Sequence, residues 1–264
     1  MLLLLASLSV PAASPFTDKA LEAVVQKELK LAKPDFKDDD LAKVFILTEA
    51  AGKGIKDLTG LEKCKNLAEA NFAKNAISDL KPLKDLANLQ SLDLGDNKIT
   101  DIAPLAGLAK LQRLVLEGNQ VSDLKPVAKL AALTSIFLTG NKAADLSPLE
   151  SLPKLYYLNA GGNGIKDIKP LAKLKRLANL ELSGNEIADV SPLAGLNELS
   201  LVQLDKNKIA DLAPLVKAAQ ADAAKDKRWA PYLRLYIAGN PLSDAGKKQL
   251  DELKKIGVKL MDIK

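Results

Sequence analysis

The amino-acid sequence predicts a right-handed solenoid of the α/β repeat class, with a parallel concave sheet, short convex turns or 3-10 segments, and helical caps. Three observations predict it. An asparagine recurs every 22 residues from Asn75 to Asn207. A fixed set of apolar positions, an aspartate and a proline travel with it. Beyond both ends of this period the spacing turns helical.

The repeat is defined by Asn75, Asn97, Asn119, Asn141, Asn163, Asn185 and Asn207. Apolar residues stand eight, five and three positions before each asparagine, as Leu89, Leu92 and Leu94 stand before Asn97. An aspartate follows at +4 (Asp79 to Asp211) and a proline at +7 (Pro82 to Pro214), with apolar residues at +8 and +11. The alternating stretch before the asparagine predicts a short strand with leucines inward and the residues between them outward. Stacked strands make one parallel sheet. The asparagine turns into the interior, where its amide must be satisfied by backbone groups of a neighbouring coil. The aspartate is placed to accept from turn N–H groups. The proline opens a convex turn or 3-10 segment, where its missing N–H costs nothing.

The stretch Leu89 to Leu108 reads Leu-x-x-Leu-x-Leu-x-x-Asn-x-Ile-x-Asp-Ile-x-Pro-Leu-x-x-Leu. It resembles the 22-residue class of leucine-rich repeat shared by bacterial internalins and eukaryotic phosphatase-regulatory proteins, over roughly residues 45–245. Leu47 to Leu61 resembles the imperfect first repeat of secreted bacterial members, with Lys53 in the asparagine position and Gly60 in the proline position. Cys64 falls on the +11 leucine position of that repeat, so it reads as a small buried hydrophobe. The resemblance implies a binding module and no catalytic residue.

The predicted organisation follows from these boundaries. Residues 1–14 read as an export signal: Met1 to Val10 are apolar or small, too short a run to span a bilayer, and Pro11-Ala12-Ala13-Ser14 supplies a small-residue cleavage site. Residues 15–45 read as a helical N-terminal cap, with Leu21, Val24, Val25 and Leu29 on one stripe and a second short helix near 40–45. Residues 46–242 form the solenoid, about eight repeats plus the imperfect first. Asn207 to Asn240 spans 33 residues, so an alanine-rich, helical insert is expected near 217–231. Residues 243–264 close the array with a helix starting near Ser243 and stopped by Gly257.

Composition excludes most chemistry. The 264 residues contain no histidine and one cysteine, so Ser-His-Asp and Cys-His catalysis are impossible and no thiolate metal cluster can form. The sequence predicts no enzyme, no cofactor and no metal. The aspartate column has one member per coil and reads as turn chemistry. Gly161 to Asp167 resembles a calcium-binding nonapeptide, but its acid falls one position late. The charge of +5 is small and spread out, which argues against nucleic acid. No integral membrane segment is expected, and the protein is read as a monomer.

Function is therefore sought on the outward strand positions. Arg113, Val115, Ser135, Phe137, Tyr157 and Asn159 fall six and four before their asparagines on three consecutive strands, one mid-sheet patch. With aromatics only 4% of the chain, two in one patch are informative. A competing corner comprises Trp229, Arg234 and Tyr236, although Trp229 is the better fit to covering the core of the enlarged last repeat. The reading is an exported, periplasmic or secreted, bacterial module that holds a protein or glycan on its concave sheet. The alternative is an intracellular, cytoplasmic scaffold like the phosphatase-binding relatives.

Overall fold

The computed structural model describes residues 14–225 and 229–261. The predicted export signal, apart from Ser14, lies outside the described residues, as do Lys227 and Arg228. One ten-stranded sheet runs in strict sequence order, every neighbouring pair parallel. Its strands are β1 Ile46–Leu47, β2 Glu69–Asn71, β3 Ser91–Asp93, β4 Arg113–Val115 and β5 Ser135–Phe137. Then follow β6 Tyr157–Asn159, β7 Asn179–Glu181, β8 Leu201–Gln203, β9 Arg234–Tyr236 and β10 Lys259–Met261. From β2 to β8 the register advances by one repeat per strand, so Leu92, Leu114, Ile136 and Leu158 stack on one another. All four are fully buried, and the residues on either side of them are outward. This is the leucine-rich-repeat solenoid that the periodicity predicts.

The two polar columns do what their chemistry requires. Asn119 Nδ2 donates to the carbonyls of Leu94 (2.9 Å) and Leu116 (2.9 Å), while its Oδ1 accepts from Ile99 N–H at 2.9 Å. Asn141 repeats this one coil on, bonding Leu116, Leu138 and Val121. Each amide thus ties its own coil to the preceding one inside the core. The aspartates accept the N–H two residues ahead, as in Asp101 with Ala103 at 2.8 Å and Asp167 with Lys169 at 2.8 Å. These bonds cap 3-10 segments such as Ala103–Gly107, Lys125–Lys129 and Lys169–Lys173, each with proline in its first turn. At Asp211 the same device opens the α-helix α3, Ala213–Ala223, because the insert lets the turn continue.

Both ends are capped. The N-terminal helix α1 spans Lys19–Glu28, with Asp18 Oδ1 accepting from Ala20 (2.9 Å) and Leu21 (3.1 Å) N–H. Leu21, Val24 and Val25 are buried against the first coil. The short helix α2 is Asp38–Leu41, earlier than expected, since the three aspartates form its first turn, where the helix dipole favours them. Gly60 explains the missing proline of the first repeat. Its φ is +99°, which proline cannot adopt, and a Cβ there would stand 2.5 Å from the carbonyl oxygen of Pro15. The N-terminal segment packs where later coils carry proline.

The C-terminal helix α4 spans Asp244–Ile256, capped by the Ser243 hydroxyl and ended by Gly257 at φ +117°. It is followed by β10, which the sequence reading did not include. Its residues Lys259, Leu260 and Met261 pair with Arg234, Leu235 and Tyr236. Cys64 is fully buried, and burial, with the nearby Glu62, pushes its thiol up to about 12. It is the inert core residue its repeat position predicts.

Candidate binding surface on the concave sheet

The outward residues of three strands meet as the register requires. Val115 faces Phe137 and Asn159 in one row, and Arg113 faces Ser135 and Tyr157 in the other. Phe137 and Tyr157 lie diagonally on neighbouring strands, and their rings stack with centroids 4.8 Å apart and planes at 27°. Arg113 places its guanidinium 5.2 Å from the Phe137 centroid, a cation–π contact, and reaches Asp93 at 3.8 Å. Both rings are half-buried. Val115 is only 5% exposed, so it floors the patch rather than forming its surface.

The polar border is more ordered than the sequence suggests. The Tyr157 hydroxyl donates to Glu181 Oε1. Burial first, then this bond and the negative charges of Glu181 and Glu117, push the phenol well above its ordinary range. Asn159 Nδ2 donates to Glu117 Oε1 at 3.3 Å, and Asn159 Oδ1 accepts from Thr139. The Glu117 carboxyl is held above the usual range by burial, the nearby Thr139 hydroxyl pulling it down while Asp93, Glu181 and Asp96 push it up.

Glu117 and Thr139 were missed because only two outward columns were read. The third lies two positions before each asparagine, and the same i, i+2 alternation would have found it. Ser135 is partly exposed in the row of Arg113 and Tyr157, as expected.

The competing corner changes character in the structure. Trp229 is 3% exposed and sits in the core beside Ala230 and Leu233, so it offers no surface. Arg234 and Tyr236 remain outward on β9, beside Lys259 and Met261 of β10. Among the described residues, no three histidine, cysteine or carboxylate groups are arranged to hold a metal. No helix among them is long and apolar enough to cross a membrane.

Comparison with known proteins agrees with this architecture. The family model described as Leucine Rich repeats (2 copies) matches residues 65–107 and 153–195, which makes the chain a leucine-rich-repeat protein. Internalin C2 of Listeria monocytogenes is 34% identical, with a TM-score of 0.75 over 78% of this chain and 92% of that one. The chain belongs to the internalin family of leucine-rich-repeat proteins. An internalin (InlF) of the same organism is 26% identical, with a TM-score of 0.55, and the match covers 99% of this chain and 95% of that one. The functional domain of InlJ from Listeria monocytogenes shares the fold at 22% identity, with a TM-score of 0.67 over 90% of this chain and 54% of that one. No curated protein matched by sequence.

Proposed function

We propose that this chain is a non-catalytic capture module of an exported bacterial protein, and that it holds a protein partner on the concave sheet around Phe137 and Tyr157. The observation that carries the reading is the half-exposed aromatic stack, fixed from one side by Arg113 and from the other by Glu181. Rigid aromatic and arginine anchors with a polar rim are what binding hot spots are made of. The core does not need this surface, since the inward leucines already fill the coil. Export is supported by the apolar run Met1 to Val10 and the small residues after it.

The test compares residues 15–264 with the double variant Phe137→Ala, Tyr157→Ala as bait in affinity capture from the fluid surrounding the source cells. Losing the stack costs the fold about 1 kcal/mol of pair interaction, so both baits stay folded well below their melting temperatures. Truncating a binding anchor typically costs about 2 kcal/mol or more of affinity. The expected result is a partner identified by mass spectrometry that the double variant no longer retains. If the double variant retains it and Arg234→Ala, Tyr236→Ala does not, the partner sits at the C-terminal corner instead. Peptide mass spectrometry of the native N-terminus checks export: an intact Met1 in the cytoplasmic fraction refutes it.

A further inference from the structure

The sheet face carries a charge opposite to that of the chain. Over β2–β9 its three outward columns hold Glu69, Asp93, Glu117, Glu181 and Asp205 against Arg113 and Arg234, five carboxylates to two guanidinium groups, while the whole chain is +5. Two of the acids, Glu117 and Asp205, share one column. The column two before each asparagine runs Glu117, Thr139, Gly161, Ser183, Asp205 across consecutive coils, tied by bonds such as Gly140 N–H to Gly161 O and Gly162 N–H to Ser183 O, both 2.9 Å. At its middle lies an open hollow of about 270 Å³, lined by Thr139, Asn159, Gly161, Glu181, Ser183 and Gln203. Gly161 keeps the floor low, since a Cβ there would come within 3.2 Å of Ser183 O. With strands about 4.8 Å apart, Glu117 and Asp205 flank the hollow about 10 Å to either side.

Glu181 forms its wall. One of its oxygens takes the Tyr157 hydroxyl; the other has no hydrogen-bond or ion-pair partner among the described residues. The nearest outward cations of the chain itself are Arg113, already engaged by Asp93 and Phe137, and Arg234, two strands further on. The hollow therefore offers a carboxylate oxygen in a negative field, on the residue that takes the Tyr157 hydroxyl, with no cation among the residues that line it.

We infer that this hollow is the specificity pocket of the concave surface and takes a lysine or arginine side chain from an exposed segment of the protein partner. The inference rests on the proposed capture function and narrows it. The cationic head lies against Glu181, the aliphatic stem against Tyr157, and Glu117 and Asp205 supply the longer-range field. Complementary charge of this kind sets partner choice and encounter rate. A partner segment with an acidic or neutral residue at this point meets uncompensated carboxylates instead.

A random dodecapeptide display library, selected on folded residues 15–264, tests this. Dissociation constants of the recovered peptides are read by fluorescence anisotropy on three proteins: the parent, Glu181→Gln, and Phe137→Ala, Tyr157→Ala. The glutamine variant keeps an acceptor for the Tyr157 hydroxyl while removing the charge and turning the second oxygen into an N–H donor. The expected result is a shared lysine or arginine in the recovered peptides. Binding should fall at least about tenfold in Glu181→Gln and disappear in the double variant. Replacing the shared basic residue by glutamine should weaken binding to the parent but not further weaken binding to Glu181→Gln. Peptides that are lost on the double variant yet share no basic residue, or bind Glu181→Gln equally well, overturn the pocket and leave the capture surface standing. Peptides indifferent to both variants, or no enrichment at all, overturn both.

Discussion

Replacing Asn119 by alanine tests how the solenoid is held together. The amide is 6% exposed and makes bonds within two coils: to Leu116 O in its own, and to Leu94 O and from Ile99 N–H in the preceding one. Alanine fills none of these roles. Ile99 is itself fully buried, so its N–H loses its acceptor where water does not reach. A buried unsatisfied group costs about 1–3 kcal/mol, and the two carbonyls lose a donor as well. Taking about 2 kcal/mol, a chain of this size should lose about 4–8 °C of melting temperature. Differential scanning calorimetry of parent and variant at pH 7 measures it. Asn88→Ala is the control: its amide bonds Lys65 O at 3.1 Å at the surface, and a change there moves stability by no more than about 0.5 kcal/mol. Asn119→Asp should be worse than alanine, because it keeps the acceptor but turns a charge toward backbone carbonyls. Equal melting of Asn119→Ala and parent would refute the ladder as a source of stability.

Two further predictions concern the N-terminal cap. Gly60→Ala should cost at least about 1–2 kcal/mol from the left-handed backbone alone, with the clash against Pro15 added, and urea unfolding that matches the parent would show that the segment does not pack there. Asp18 should make stability pH-dependent: burial raises its carboxyl, but the N–H groups of Lys56, Leu21, Asp57 and Ala20 outweigh it and leave the folded value below 3.8. A depressed value means stability that is present above 3.8 and is lost as pH falls through the folded value. The melting-temperature gap between the parent and Asp18→Asn should therefore be widest near neutrality and shrink below that pH; a gap constant with pH contradicts this.

The repeat made most of the fold legible. A period of 22 residues with leucines at fixed offsets determines which side chains point inward. No single coil can bury its apolar edge, so stacking in register follows. The buried role of the asparagines, the capping role of the aspartates and the core role of Cys64 were readable for the same reason: each is local to one coil or to its nearest neighbour. The outward pair Phe137 and Tyr157 was also readable, because alternation along a strand sets which face a residue takes.

What escaped the sequence lies where the period is broken or where contacts run across several coils. The strand β10 has only three residues and no repeat to announce it; it forms because β9 leaves an edge to pair with. Gly60 looked like a mere departure from the pattern until Pro15, 45 residues earlier, was found against it. Trp229, which the sequence favoured for the core of the enlarged last repeat, is indeed buried, so the surface role of the C-terminal corner falls to Arg234 and Tyr236 alone. The ring stack and the Tyr157–Glu181 bond depend on rotamers that neighbouring strands select together. Periodicity thus determined the backbone and the address of each side chain. Tertiary structure decided which addresses combine into a surface, because that depends on distances between coils that no single repeat contains.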